Sequence, residues 1–357
     1  MRMLARVASL KQTSPETFQQ ILDLTVFPSL SDLDPDLQEH YNSVASFVAP
    51  LINHDQQELS TLCHIINCNC FGVQDAFALG VFDVGVGLYP SLSSVKHSCA
   101  PTCNLASSTN KVMSLRAMTS GSEVSINKLS SLMMPLKDRK KELESMGIDC
   151  DCRRCLDPQA IQVDEVVHGW VCQKCRSGLL FDCDDDCLQC RDCDEKTLKS
   201  DIVEIQQKMV QFIHLGNSLL RQTEYAKAMK VFEKVLSNFG KFITVDHSSL
   251  PTIRLPLLVC CEQLKEFDKG LDHGNKALEV MKKVYPENHP KVAEILFHLA
   301  SVFVKKSEVV VESTKKRLNK KQAELLFKQS MAIREICFGT EDLNTKECVK
   351  RLDALWK

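Results

Sequence analysis

Residues 150–155 read CDCRRC, and this short stretch decides how the middle of the chain folds. Its three thiols lie too close together to pair sensibly as disulfides, but they can surround one tetrahedral zinc ion. Structural zinc takes four protein ligands, and Cys99 in KHSCAPTC (residues 96–103) is the natural fourth. A ligand from so distant a segment would join two parts of the chain through the metal.

A second group of cysteines follows. Two CxxC pairs stand eleven residues apart and predict a ribbon-like zinc site with the ligands Cys172, Cys175, Cys187 and Cys190. Cys183 and Cys193 are further candidates, and Cys190 with Cys193 is an alternative second pair. The acidic run DCDDD between the pairs lacks the alternation and the closing Glu of a calcium loop, so we expect two zinc ions and no calcium.

The composition favours a folded zinc protein in a reducing compartment. The chain has 357 residues, 44% of them hydrophobic and 25% charged, which predicts two or three domains. Fourteen of the eighteen cysteines lie between Cys63 and Cys193, and no secretory signal or membrane span is recognisable. The net charge of −2 lacks the positive field of a nucleic-acid binder. We expect a cytoplasmic or nuclear protein, of undetermined oligomeric state, that binds neither membrane nor nucleic acid.

The hydrophobic pattern predicts an α+β protein. Residues 1–66 show helical periodicity, with an apolar stripe of Leu37, Tyr41, Val44, Phe47, Val48 and Leu51. Short β-branched runs follow at 84–92, 110–118 and 122–126, and a charged helix is predicted over residues 130–146. Beyond residue 200 paired helical patterns recur about every forty residues, which predicts stacked helical hairpins. The lysine-rich segment 315–321 is interpreted as a solvated helix face.

A nearby cluster is not interpreted as a third metal site. Cys63, His64, Cys68 and Cys70 lie in LCHIINCNCF (62–71), an apolar helix that continues toward a strand. Buried cysteines behave there as small hydrophobic residues.

Three segments in order carry a family resemblance: VGVGLYPSLSSVKHSCAPTCNL (84–105), GSEVSINKLSSLMMPLKDRKKEL (121–143) and CDCRRC. Together they resemble the C-terminal half of a SET domain with its post-SET segment, in particular that of the SET-and-MYND-domain (SMYD) family. The resemblance implies a helical insert region (1–66), the C-terminal part of a SET domain (67–130), a post-SET zinc segment (131–157), a zinc ribbon-like module (165–195) and a tetratricopeptide-like helical domain (200–357). The family's first SET strands and its MYND module are expected before residue 1.

This resemblance implies protein-lysine N-methylation with S-adenosylmethionine, on a protein or peptide substrate of which histone is one candidate. Cys99, Cys150, Cys152 and Cys155 match the post-SET zinc ligands, and Phe71 matches an aromatic residue of the lysine channel. The positions that match the family's cofactor pocket are Cys68, Asn69, Ser93, Val95, Lys96 and His97.

Three positions depart from the family pattern. Lys96 replaces an asparagine, Lys128 replaces a channel tyrosine, and Met146 stands at a second tyrosine position. Lys96 would repel a cationic sulfonium if it pointed inward. We therefore expect no confident catalytic residue and an impaired methyltransferase. The alternative is a non-catalytic zinc protein whose helical domain binds peptides, or whose helices merely support the SET-like part.

Overall fold

The computed structural model describes residues 1–24, 26, 28–29, 32–74, 83–106, 111–114 and 123–356. Its N-terminal part consists of helices α1 (Arg2–Thr13), α2 (Pro15–Leu22), α3 (Pro35–Ile52) and α4 (Gln56–Asn69). Asp34 and Asp55 begin α3 and α4 by accepting hydrogen bonds from backbone N–H groups of the first turn. Residues 1–66 thus contain the predicted helices.

The predicted apolar stripe on α3 is only partly buried. Val48 and Ala45 face the shared core of the four helices, and Tyr41 is buried beside the ring of His64. Phe47 and Leu51, in contrast, are 61% and 70% exposed. A helix that packs on neighbours along one narrow face buries residues at a spacing of three or four, and the adjacent row stays in solvent.

Short strands and one helical turn follow α4. Strands β1 (Cys70–Gln74) and β2 (Asp83–Leu88) pair antiparallel, with Phe71 opposite Gly87. Helix α5 (Pro90–Ser93) leads to β3 (Lys96–His97), which pairs parallel with β6 (Ser125–Ile126), and β4 (Cys103–Ala106) pairs antiparallel with β5 (Lys111–Ser114). The predicted runs 110–118 and 122–126 lie partly outside the described residues.

The central part combines short helices with a small sheet. Helices α6 (Leu136–Glu144), α7 (Arg153–Leu156) and α8 (Pro158–Val167) precede an antiparallel sheet of β7 (Leu180–Asp182), β8 (Cys187–Cys190) and β9 (Lys196–Leu198). Helix α6 is the charged helix that the sequence predicts over 130–146.

The C-terminal part is helical, with consecutive helices packed against each other. The helices are α9 (Lys199–Arg221), α10 (Tyr225–Phe239), α11 (Leu250–Gln263), α12 (Phe267–Val284), α13 (Pro290–Val309), α14 (Ser313–Phe338) and α15 (Leu343–Ala354). Gly216 lets α9 approach α10, because a Cβ there would lie 2.6 Å from the ring of Phe232. Segment 315–321 belongs to α14 and is mostly exposed. The predicted α+β class with a helical C-terminal part is confirmed.

The lengths and apolar content of the helices bear on whether any of them could span a membrane. Within the described ranges, no helix is both long and apolar enough to cross a bilayer.

Candidate functional site

Cys99, Cys150, Cys152 and Cys155 converge on one point. All four sulfur atoms lie within 4.8 Å of one another, and the Cys99 and Cys155 sulfurs are 3.6 Å apart. Four sulfurs around a zinc ion at about 2.3 Å are separated by about 3.8 Å, so the donor set fits tetrahedral zinc. The cluster joins Cys99, two residues after β3, to the loop and helix that follow α6.

The charges of this cluster also favour a cation. S–H groups of Cys155 and Cys99 lower the pKa of the Cys152 thiol, whereas hydrogen bonding to Cys152 and Cys155, together with burial, raises the pKa of Cys99. Ionisation is therefore favoured at Cys152 and opposed at Cys99. A divalent cation would allow all four to ionise.

His97 connects this cluster to the predicted cofactor pocket. Its Nδ1 accepts the backbone N–H of Lys128 at 3.0 Å, so the proton of the neutral ring lies on Nε2, 3.4 Å from the Cys99 sulfur. Burial lowers the pKa of His97 to about 4, which keeps the ring neutral. A ring that donates to a metal-bound thiolate is a common supporting contact around zinc.

A buried ionic network, which the sequence did not reveal, surrounds the same segment. The Asp164 carboxylate of α8 accepts hydrogen bonds from Arg139 of α6 at 2.5 Å and from Arg154 of α7 at 2.8 Å. Arg139 also donates to the carbonyl of Met134, and Arg154 to that of Leu132. Nothing in a single sequence indicates that these three charges meet.

The second thiol cluster contains Cys172, Cys175, Cys190 and Cys193, again with sulfurs within 4.8 Å. The backbone N–H of Gly178 donates to the sulfur of Cys175 at 3.3 Å, and that of Asp192 donates to Cys190 at 3.4 Å. Such N–H groups stabilise thiolates: backbone hydrogen bonds from Ser177 and Gly178 lower the pKa of Cys175 to about 6.

The two pairs of this cluster have the same backbone conformation. The N–H of Arg176 donates to the carbonyl of Cys172 at 2.9 Å, and the N–H of Asp194 donates to the carbonyl of Cys190 at 3.2 Å. Arg176 and Asp194 each follow the second cysteine of their pair, and both have positive φ, at 61° and 55°. Cys190 and Cys193 thus form the second pair.

This cluster differs from the predicted set of Cys172, Cys175, Cys187 and Cys190, because Cys193 lies in the place expected for Cys187. Cys187 and Cys190 begin and end strand β8, three residues apart, and side chains three apart on a strand point to opposite faces. Cys190 packs with Leu180 and Cys172 on the buried face. The chain turns after Cys190, and this turn brings Cys193 back to the same side.

The acidic run between the pairs has a local structural role. Asp184 accepts the backbone N–H groups of Asp186 at 3.1 Å and Cys187 at 2.6 Å, so it stabilises the turn between β7 and β8. Among the described residues the two thiol clusters are the groups of ligands spaced to hold a metal. Cys63, His64, Cys68 and Cys70 lie outside these two groups.

Some residues that match the cofactor pocket lie together. The ammonium of Lys128 donates to the carbonyl of Ser93 at 2.7 Å, and the backbone of Lys128 contacts His97. Phe71 and Val95 pack in one apolar cluster with Tyr89, whose ring centroid is 6.2 Å from that of Phe71. Tyr89, in GLYP, is an aromatic neighbour that the sequence interpretation did not single out.

Cys68 and Asn69 lie at the end of α4. The sulfur of Cys68 is 3.6 Å from Nδ1 of His64, and the amide of Asn69 donates to the carbonyl of Ile65 at 3.0 Å. Met146 lies half-buried in the turn after α6. The described contacts do not connect these residues to Lys128.

Lys96 points away from this pocket. Its exposed ammonium forms ion pairs with Glu123 at 3.0 Å and Asp151 at 3.1 Å. Adjacent residues of β3 alternate, so His97 is buried while Lys96 is exposed. The inward orientation under which Lys96 would repel a cation does not occur.

Lys128 carries the inward cation instead. It is half-buried, its ammonium has the Ser93 carbonyl as a partner, and burial lowers its pKa. Of the two lysines that depart from the family pattern, Lys128 is therefore the one whose ammonium lies inside the protein.

The chain was compared with known proteins. No protein-family model matches it. Histone-lysine N-methyltransferase SMYD3 of Mus musculus is 24% identical over 307 residues, which cover 81% of this chain and 61% of that protein. Histone-lysine N-methyltransferase ASHR1 of Arabidopsis thaliana is 23% identical over 283 residues, covering 74% of this chain and 56% of that protein. A SET and MYND domain-containing protein of Dictyostelium discoideum is 26% identical over 194 residues, covering 46% of this chain and 49% of its own length.

The chain thus spans about half the length of these curated relatives. Among solved structures, BtubC from P. vanneervenii matches 43% of this chain and 64% of that chain at 15% identity and a TM-score of 0.30, which assigns no fold. Similar matches recur among other curated methyltransferases, including SMYD3 of Homo sapiens, which is 27% identical over 232 residues covering 62% of this chain and 44% of that protein. This chain is thus similar to several SET-and-MYND-domain (SMYD) methyltransferases, at 22 to 27% identity.

Proposed function

We propose that this chain is part of a protein-lysine N-methyltransferase of the SMYD type, with two structural zinc ions and S-adenosylmethionine as the methyl donor. The observation that carries the proposal is the contact of His97 with both Cys99 and Lys128. Through this contact the first thiol cluster supports the pocket that the family resemblance assigns to cofactor and substrate.

Both zinc ions have a structural role in this proposal. Cys99, Cys150, Cys152 and Cys155 would hold one ion, and Cys172, Cys175, Cys190 and Cys193 the other. Each set supplies four thiolates, which leaves no open position for a substrate. The first ion would close the pocket, and the second would hold the ribbon-like module ahead of α9.

S-adenosylmethionine supplies a methyl group on a cationic sulfonium, which a neutral amine attacks in line. The residues of this chain have to position the amine and exclude water. Phe71, Tyr89 and Val95 provide an apolar wall for this purpose. The Ser93 carbonyl is a hydrogen-bond acceptor at the same place, and Lys128 occupies it here.

We further propose that Lys128 impairs methyl transfer by this chain. A second cation in a half-buried pocket repels a sulfonium, and its ammonium takes the acceptor that another amine would use. This observation favours the second candidate function, a zinc-stabilised interaction protein. In it the tetratricopeptide-like hairpins α9–α14 bind a peptide. The same proposal includes a protein or peptide as substrate or partner, of which histone is one candidate. It also includes a cytoplasmic or nuclear location.

Lys128→Tyr tests the enzyme proposal, and Lys96→Asn is its matched control. Calorimetry with S-adenosylmethionine and transfer of labelled methyl to histone and other lysine peptides are measured on the full 357-residue chain. Removing the inward cation should tighten cofactor binding by at least about ten-fold, or about 1.4 kcal/mol. Removing the solvent-facing Lys96 should change it less than about two-fold.

The outcomes separate the two functions. If neither the parent nor Lys128→Tyr binds cofactor at millimolar concentration, while both retain two zinc ions, the methyltransferase proposal for this chain fails and the interaction function remains. If Lys128→Tyr and Lys96→Asn raised the affinity for S-adenosylmethionine equally, the inward orientation of Lys128 and the outward orientation of Lys96 would be contradicted.

A further inference from the structure

Cys183 and Cys187 remain outside both thiol clusters, and they lie opposite each other across the turn between β7 and β8. The strands pair Leu180 with Cys190, Phe181 with Gln189 and Asp182 with Leu188. The same register, continued by one residue, places Cys183 opposite Cys187. The N–H of Cys183 donates to the carbonyl of Cys187 at 3.3 Å, as this continuation requires.

Cross-strand pairs alternate between hydrogen-bonded and non-hydrogen-bonded along an antiparallel hairpin, and this alternation decides which kind residues 183 and 187 form. The N–H of Arg191 donates to the carbonyl of Leu179, so positions 179 and 191 form a hydrogen-bonded pair. Such pairs recur every two residues, which makes 183 and 187 another one. Their Cα atoms should lie about 5.5 Å apart, within the range of about 4.4 to 6.8 Å that a disulfide spans.

Both thiols are on the face of the hairpin away from the second cluster. Side chains two positions apart share a face, so Cys183 and Cys187 lie on the side of Phe181 and Arg191. On that side the guanidinium of Arg191 stacks over the ring of Phe181, 3.7 Å from its centroid. Cys183 is exposed and Cys187 half-buried, so a small reagent can reach the first of them.

The turn that holds the two cysteines is tightly constrained. Asp184 accepts the N–H of Cys187, and Lys199 at the start of α9 donates to the carbonyl of Asp184 at 2.6 Å and pairs with Asp182 at 2.9 Å. A constrained turn keeps the two sulfurs at a high effective concentration. Once one sulfur has reacted, the other is therefore the favoured next partner.

We propose that Cys183 and Cys187 form a reversible dithiol–disulfide site, separate from the zinc ligands, that exchanges with small-molecule disulfides. The thiolate of Cys183 attacks one sulfur of the small disulfide, which forms a mixed disulfide and releases one thiolate. The sulfur of Cys187, having lost its proton to solvent, then attacks the Cys183 sulfur and releases the second thiolate. The protein dithiol loses two electrons and two protons, and the small disulfide is reduced to two thiols.

The test uses the full zinc-bound chain and an uncharged reagent, because the acidic turn would repel an anionic one. The protein is equilibrated with hydroxyethyl disulfide and mercaptoethanol at varied ratios, denatured in acid, and alkylated in the presence of chelator. Trypsin releases residues 177–191, which contain Cys183, Cys187 and Cys190. The number and position of alkyl groups on this peptide are read by mass spectrometry, and zinc is measured on the same samples.

The oxidised parent should carry one alkyl group, on Cys190, and should keep both zinc ions. Cys183→Ser should carry two alkyl groups, because Cys187 alone cannot close a disulfide. Cys187→Ser should accumulate at least about ten-fold more mixed disulfide at Cys183 than the parent does. Three alkyl groups on the parent at every ratio, a disulfide that includes Cys190, or zinc release in step with oxidation would each overturn the proposal.

Discussion

Replacing Asp164 tests whether the buried ionic network holds helices α6, α7 and α8 together. Asp164 is 5% exposed and neutralises Arg139, which is fully buried, and Arg154, which is 7% exposed. Asp164→Asn keeps the size of the side chain but leaves two buried guanidinium groups without a counter-charge. Breaking a buried ion pair by removing one partner costs about 3 to 5 kcal/mol, so we expect a loss of that size in the free energy of unfolding.

The neighbouring Glu165 provides a matched control on the same helix. Its ion pair with Arg191 is 3.4 Å long and partly exposed, so Glu165→Gln should cost less than about 1 kcal/mol. Trp170 follows α8 and packs edge-on against His247, and Trp356→Phe leaves it as the single tryptophan of the chain. Its fluorescence therefore reports unfolding beside the network.

Unfolding in urea is followed for both variants in the Trp356→Phe background. With a slope of about 1 to 3 kcal/mol per molar urea, Asp164→Asn should lower the midpoint of the Trp170 transition by about 1 M or more. Zinc release should begin at a correspondingly lower urea concentration. A midpoint for Asp164→Asn that coincides with that of Glu165→Gln would refute the network as a main source of local stability.

Three further predictions concern the zinc ligands and acid stability. Cys193→Ser should lower the bound zinc, measured by elemental analysis, from two ions to one per chain, whereas Cys187→Ser should retain two; the reverse result would restore the ligand set first expected from the sequence. Gly178→Ala should also lose the second zinc, because its Cβ would overlap the sulfur of Cys190; full zinc occupancy in this variant would contradict the packing. Burial lowers the pKa of His289 from 6.5 to about 3, so the unfolded chain binds one more proton than the folded chain between these values. Stability should therefore fall by about 1.4 kcal/mol per pH unit as the pH drops from 6.5 toward 3. His289→Asn, which keeps a side chain able to begin α13, should reduce the slope of urea stability against pH by that amount, and an unchanged slope would exclude this residue as the cause.

The two thiol clusters show how much the spacing of cysteines along the sequence reveals about which thiols lie together. Cys150, Cys152 and Cys155 stand so close in sequence that any compact conformation keeps them near one ion, and the search for a fourth ligand led to Cys99. The second cluster was ambiguous, because Cys187 with Cys190 and Cys190 with Cys193 have the same spacing. The register of a hairpin decides between them, and spacing alone does not contain it.

Lys96 and Lys128 likewise could not be told apart from the sequence, because it does not show which way each side chain points. The resemblance indicated that Lys96 and Lys128 replace uncharged side chains, but not which of them enters the pocket. Glu123 and Asp151, which approach from other segments, hold Lys96 in solvent. Only Lys128 places an ammonium group in the half-buried space beside Ser93, so we expect impaired methyl transfer from this residue and not from Lys96.

The sequence by itself determined the helical periodicity, the four cysteines of the first thiol cluster, two pairs of close-set thiols and the resemblance to the SMYD family. These features are properties of neighbouring residues, or of a few segments in a given order, and they need no knowledge of packing. The tertiary structure decided which face of each strand and helix is buried. Consequently it alone placed Cys193 in the second thiol cluster, left Phe47 in solvent and brought Arg139, Arg154 and Asp164 together. A charge or a thiol acquires its partner from the segment that packs against it, and that segment can lie anywhere in the chain.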